Sequence, residues 1–467
     1  RLGLPVEARL YDQRVFPACR VTLPPQGELR FRRPESRRRE LREGSPEAPL
    51  DVEVPAHTEL RVALWSPPER IGQDLEQVLS GPRPTGLELS ITPRDCLARI
   101  AAKGGVEALS LGLVGRKPYD LRPLDELPRL RELRLKDRTQ LVAEDLAELR
   151  LERLERLELR PWPKLPAETW RWLEGLPRLR ALGGWDFTTP VELLRQRLPR
   201  IAGLQELDLS DVEGVNDAVI EALGDLSGLR ELELDVTADV TLGALREAFA
   251  AWPRLERFSS SLTLDDATLG ALPPGLRGLS AHFGLASDSG LESLSRLSLR
   301  ELDLTFPNQL TARALGRALR AWPELRTLEL FDVDAATRDA LSELPASLRE
   351  LNLSSVPADD LDVLAHLSQL ESLTLWQLER LDLAGLDALT HLDRLYRLDL
   401  ERRAPTPLFD LPSRGDTAFA GAVRLGENRW WLVNYSSPRE GPDLPWLAGQ
   451  VGRTHLYAGE LVFGSSE

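Results

Sequence analysis

The sequence predicts an α/β solenoid: a right-handed stack of about 14 strand–helix repeats bent into a horseshoe, with a small β-rich region before it and a β cap after it. Three observations carry that expectation. A phrase of leucine, two variable residues, leucine, one variable residue, leucine begins at positions 84, 106, 130, 154, 179, 204, 229, 255, 276, 299, 325, 348, 370 and 395, in places with one or two positions replaced. Its mean step of about 24 residues accommodates one strand and one short helix. Between phrases lie amphipathic segments, and proline closes many of them, as in Leu127-Pro128, Leu176-Pro177, Trp252-Pro253 and Trp322-Pro323. Proline cannot continue a helix, so it returns the chain to the next strand. A unit this short cannot bury its apolar face alone; neighbours must stack, and the stack creates a long surface.

Residues 1–83 precede the repeat and read as a small β-rich domain. Strand-like stretches are Val6–Tyr11, Ala18–Leu23, Leu29–Arg32, Leu50–Val54 and Glu59–Trp65. In the last, Leu60, Val62 and Leu64 alternate with Glu59, Arg61 and Ala63, the pattern of a half-buried strand. The polar segment Arg33–Pro49 is expected to be a mobile loop. It belongs to the chain's basic cluster, Arg30, Arg32, Arg33, Arg37, Arg38, Arg39 and Arg42, which Glu35, Glu40 and Glu43 dilute. A solvated loop accounts for that cluster better than a phosphate-binding arm.

Residues 84–403 form the solenoid. Its helical segments include Val215–Leu223, with Asp217 as the expected cap and Val219, Ile220 and Leu223 on one face. Similar segments are Asp265–Leu272, Ser287–Leu294, Thr311–Leu319, Thr337–Leu344 and Asp359–Leu367. Residues 404–467 leave the repeat. There Phe419–Leu425 and Arg429–Tyr435 flank Gly426-Glu427-Asn428, a hairpin signal, and His455–Phe463 offers a third strand. A cap over the last repeat is the plainest reading, with a separate small domain as the alternative.

Composition narrows the function. The chain has 467 residues, no apolar run long enough to span a bilayer, no Met, and lysine only at Lys103, Lys117, Lys136 and Lys164. Abundant Arg, Leu, Ala and Pro indicate a GC-rich, bacterial genome. Cys19 and Cys96 either pair or stand as separate thiols; two cysteines so far apart favour thiols, and with them a cytoplasmic location. The net charge is −15, although residues 1–50 carry 11 Arg against 7 acidic residues. An acidic body argues against nucleic acid and for a protein partner with a basic face. His57, His282, His366, His391 and His455 make no metal-ligand spacing, and no phosphate loop or nucleophile motif occurs. No cofactor, metal or enzymatic activity is expected.

The repeats resemble the leucine-rich-repeat superfamily over about two-thirds of the chain. Units such as Leu207-Asp208-Leu209 through Asp217 to Leu223 are similar to the subtype in F-box substrate receptors. That subtype places a cysteine where Ser210 to Val212 stand here, and the N-terminal region shows no F-box. The resemblance implies repeat geometry and protein binding.

Alternation along each strand turns the last two leucines of a phrase inward and the residues around them onto the concave face. Early repeats present Glu132, Arg134, Lys136, Arg156, Glu158 and Arg160; the next presents Ala181, Gly183 and Trp185. Then come Glu206, Asp208 and Ser210, followed by Glu231, Glu233 and Asp235. Later units give small groups with His282, then Glu301, Asp303, Thr305, Glu329, Phe331, Glu350, Asn352, Thr374 and Trp376. The predicted partner-binding residues are Trp185, Glu206, Asp208, Glu231, Glu233, Asp235, Phe331 and Trp376. The five carboxylates would repel one another until a basic partner arrives, and the aromatics would anchor it. Against this stand plain solvation for the acids and packing roles for the aromatics. An alternative class is a regulatory or targeting arm of an assembly that docks through its terminal domains.

Overall fold

The computed structural model describes residues 16–25, 27–32, 39–43, 49–57, 59–67, 69–93, 95–113, 119–137, 143–160, 167–184, 191–210, 215–234, 239–305, 310–331, 339–354, 361, 363–378, 392, 397–402, 420–426, 429–436 and 455–462. They fall into two compact units, Arg1–Leu229 and Arg230–Glu467. Each is a run of parallel strands alternating with short helices, the leucine-rich-repeat fold.

In the first unit, β1 (Cys19–Leu23), β2 (Gly27–Arg32), β3 (Arg39–Glu43), β4 (Leu50–Val54) and β5 (Glu59–Leu64) come before any repeat phrase. β1 and β4 form an antiparallel pair, and β2 lies antiparallel between β3 and β5. β3 lies inside the segment expected to be a loop; Leu29↔Arg42 and Phe31↔Glu40 are among its register pairs. Its charged sequence hides the strand because the apolar side of the ladder is supplied by Leu29 and Phe31 of β2, both buried.

β5 also pairs in parallel with β6 (Gly86–Leu89). The parallel run continues through β7 (Ala108–Leu113), β8 (Glu132–Asp137), β9 (Arg156–Arg160), β10 (Ala181–Gly184) and β11 (Glu206–Asp208). Register is constant: Val62, Leu87, Leu109, Leu133, Leu157, Leu182 and Leu207 stand opposite one another in turn. All are buried. Parallel neighbours need a crossover, which α1 (Ile71–Ser80), α2 (Cys96–Lys103), α3 (Ala143–Ala147), α4 (Ala167–Gly175), α5 (Val191–Arg197) and α6 (Asp217–Leu223) help to supply. A 3₁₀ turn, Arg122–Glu126, takes the place of one helix. The cap of α6 is Asn216 rather than Asp217. Asn216 has extended backbone and accepts a bond from the Val219 amide at 3.3 Å, whereas Asp217 is already in the first turn. Cys96, at the start of α2, is buried, Cys19 is half-buried, and both are free thiols.

In the second unit the parallel strands are β12 (Glu231–Leu234), β13 (Arg257–Asp265), β14 (Gly278–Leu285), β15 (Glu301–Thr305), β16 (Thr327–Leu330), β17 (Glu350–Ser354), β18 (Ser372–Leu378) and β19 (Arg397–Arg402). Leu232, Phe258, Leu279, Leu302, Leu328, Leu351, Leu373 and Leu398 share one register row. The intervening helices are α7 (Leu242–Ala251), α8 (Asp266–Ala271), α9 (Asp288–Leu294) and α10 (Ala312–Ala321). Trp252 and Trp322 end α7 and α10 just before proline, and both rings are fully buried. The Thr337–Leu344 helix is realised as a 3₁₀ turn, Asp339–Glu343. Within Asp359–Leu367, Asp359, Asp360 and Asp362 lie outside the described residues, as does all of Val6–Tyr11. Beyond β19 the pairing turns antiparallel through β20 (Ala420–Gly426), β21 (Arg429–Ser436) and β22 (His455–Val462), with the hairpin closing at Gly426↔Arg429. Among the described residues, no helix is long and apolar enough to cross a membrane.

Candidate functional site

Constant register lines up the residues that flank the inward leucines. Each unit therefore carries ordered rows of side chains on the strand face opposite the helices. In the first unit one row runs Arg61, Gly86, Ala108, Glu132, Arg156, Ala181 and Glu206, and the next runs Ala63, Glu88, Ser110, Arg134, Glu158, Gly183 and Asp208. Long cations lie across small residues to reach carboxylates. Arg61 crosses Gly86 and Ala108 to meet Glu132 at 3.1 Å, and Arg156 crosses Ala181 to pair with Glu206. Lys136 reaches back past β7 to Glu88 at 2.8 Å, and Arg134 pairs with Glu158 at 2.9 Å. A Cβ at Gly86 would stand 2.7 Å from the Arg61 Cγ, so the glycine makes room for the crossing. Asp208 is engaged locally, accepting from the Ser210 amide at 2.9 Å and the Ser210 hydroxyl at 2.5 Å.

The second unit repeats the device once. Arg257 lies between Glu231 at 3.2 Å and Glu301 at 2.6 Å, crossing Gly278, where a Cβ would stand 3.0 Å from the Arg257 Cγ. Burial by itself would weaken the hold of Arg257 on its proton; the hydrogen bonds and charges of Glu301 and Glu231 more than reverse this. The adjoining row runs Glu233, Ser259, Ser280, Asp303, Glu329, Asn352 and Thr374. Asp303 accepts from the Ser280 hydroxyl at 2.7 Å and the Thr305 hydroxyl at 3.1 Å. Glu329 accepts from the Asn352 amide at 3.3 Å. Burial pushes its proton affinity up, the Asn352 bond pulls it down, and the Asp303 charge pushes it up again, for a net rise. In these two rows, from β12 to β18, Arg257 is the only Lys or Arg among the described residues, against Glu231, Glu233, Glu301, Asp303, Glu329 and Glu350. Phe331 follows β16, half-buried, its amide donating to the Leu304 carbonyl at 3.1 Å.

The eight expected binding residues are thus distributed. Glu206 and Asp208 belong to the first unit; Glu231, Glu233 and Phe331 belong to the second. Trp185 and Asp235 lie outside the described residues. The backbone of Trp376 stands opposite Ser354 in β18, and its side chain lies outside them. The picture of five carboxylates left to repel one another does not hold, because Glu206 and Glu231 have arginine partners. Arg257, Glu301, Asp303 and Glu329 carry the charge pattern that the expected site lacked. Their outward position is legible from the phrase, but Arg257 meets Glu301 across 44 residues of sequence, a contact that no local pattern displays.

Among the described residues, no cluster of three or more His, Cys, Asp or Glu side chains is arranged to hold a metal. No family model and no curated protein matches the sequence. Among solved structures, an internalin, InlF, from Listeria monocytogenes is similar at 16% identity and a TM-score of 0.36, over 67% of this chain and 84% of its own. The Rad7–Elc1 complex of yeast is similar at 17% identity and a TM-score of 0.40, over 56% of this chain and 69% of the matched chain. Likenesses of this depth name no ligand; the repeat fold rests on the strand register above.

Proposed function

We propose that the protein is a non-catalytic recognition module that captures a protein partner with a basic surface on the strand face of its second unit. The observation that supports this is the imbalance of that face. From β12 to β18, Glu231, Glu233, Glu301, Asp303, Glu329 and Glu350 share two rows with one described cation, Arg257. In the first unit, by contrast, Glu88, Glu132, Glu158 and Glu206 each meet a Lys or Arg of the same face. Repeated parallel strands place these charges at a spacing of about 4.8 Å, which suits several side chains of an extended or folded partner better than one small molecule. A basic surface would be steered toward such a strip, and charge would set orientation and association rate more than final affinity. Phe331, at the end of β16, is the described aromatic placed to add apolar contact.

The test is affinity capture from lysate of the native host, comparing wild type with a Glu233→Lys, Asp303→Lys, Glu329→Lys variant shown by circular dichroism to remain folded. The expected result is a partner retained by wild type and lost by the variant. Equal retention of the same partner would remove this strand face from the function.

A further inference from the structure

We propose that Asp303 and Glu329 together hold an exchangeable proton, so that the charge of the second unit's strand face is set by pH. The two residues stand in direct register on neighbouring parallel strands, Asp303↔Glu329, with strands about 4.8 Å apart. Asp303 accepts hydrogen bonds from two hydroxyls, Ser280 and Thr305. Glu329 is half-buried beside it and has one neutral donor, Asn352. The charged and titratable groups facing Glu329 are Asp303 and Glu301 from β15 and Glu350 from β17, with His282 one strand further on, opposite Thr305. Arg257, the described cation of these rows from β12 to β18, is occupied by Glu231 and Glu301. Like charges in register on neighbouring strands, one of them desolvated, favour retention of a proton by the more buried member with the fewer donors. That member is Glu329, and the direction of its shift agrees.

A carboxyl that binds its proton more tightly in the folded state adds stability at low pH. That contribution is lost as pH rises from the ordinary glutamate range through the folded value. Replacing Glu329 with Gln keeps an acceptor for Asn352 and removes the titration. In the full chain, Glu329→Gln should raise Tm by about 1–2 °C near neutral pH. The gain should vanish toward pH 4, and should shrink in an Asp303→Asn background. A gain that is independent of pH, or unaffected by Asp303→Asn, would overturn the proposal, and so would no gain at any pH.

The consequence for binding rests on the proposed function, and a second measurement separates the two. Binding of an oligo-arginine peptide to wild type should weaken about two- to fivefold on moving from neutral pH to pH 4.5, beyond any change in Glu329→Gln. Equal pH dependence in both proteins would contradict the proton-controlled charge. Absence of peptide binding at every pH, with the Tm pattern present, would instead support the proton site and count against the basic-partner reading.

Discussion

At the scale of single residues, the strand faces are organised by where side chains are missing. A Cβ at Gly112 would stand 1.9 Å from the Ser90 carbonyl oxygen, backbone that cannot swing aside. Gly112→Ala should therefore cost about 3 kcal/mol, read as a lower denaturant midpoint; an unchanged midpoint would contradict the packing. Gly86 and Gly278 play another part, leaving room for Arg61 and Arg257 to cross to Glu132 and Glu301. The sequence displays these glycines but not the arginines above them, because the crossing joins residues of different repeats. Cys96 illustrates the opposite case, a burial that an apolar helix face does announce. Burial first, and the Asp95 charge second, push its thiol up to about 12. Native protein should resist alkylation at Cys96 at mildly alkaline pH and react only on unfolding. Rapid native-state labelling, followed by peptide mapping, would show that α2 opens readily.

At the scale of elements, successive repeats are stapled at their helix starts. Asp266 accepts from the Ser287 amide at 2.7 Å and the Ser287 hydroxyl at 2.5 Å; Asp288 holds Thr311 in the same way at 2.8 and 2.7 Å. Thr311 Oγ1 also accepts from the Ala314 amide at 3.2 Å, capping α10. One hydroxyl thus ends an orphan amide and ties two repeats together. Thr311→Ala should destabilise by about 1–2 kcal/mol, and Thr311→Ser should recover most of it. Equal loss in both variants, by chemical denaturation, would point to the methyl group instead. Helix ends are tied similarly: Arg296 donates to the carbonyls of Leu269, Gly270 and Leu272, and Trp322 Nε1 donates to Leu294. The caps Asp265, Ser287 and Thr311 are legible because a polar residue stands just before each apolar period. Asn216 and Asp217 are less so, since adjacent residues both qualify as caps and only backbone geometry chooses between them. The 3₁₀ turn at Asp339–Glu343 lies just ahead of Leu344-Pro345, and proline there bars the helix from continuing.

At the scale of the whole molecule, the leucine period announces the parallel strands, since each inward residue must meet its counterpart one repeat away. Val62 and Phe258 hold that row as well as leucine does, and are legible from size and alternation alone. The distribution of charge is far less legible. A net charge of −15 says nothing about which carboxylates are already matched. Within the first unit, arginine and lysine crossings neutralise the face; within the second, from β12 to β18, six carboxylates share two rows with Arg257 as the described cation. That difference carries the functional account, so its most direct test is kinetic. The association rate of the captured partner should be measured against ionic strength, for wild type and for Glu233→Lys, Asp303→Lys, Glu329→Lys. The account predicts a wild-type rate that falls steeply with salt and a variant that is slower at low salt, with a flattened or inverted slope. Identical slopes for the two proteins would contradict it.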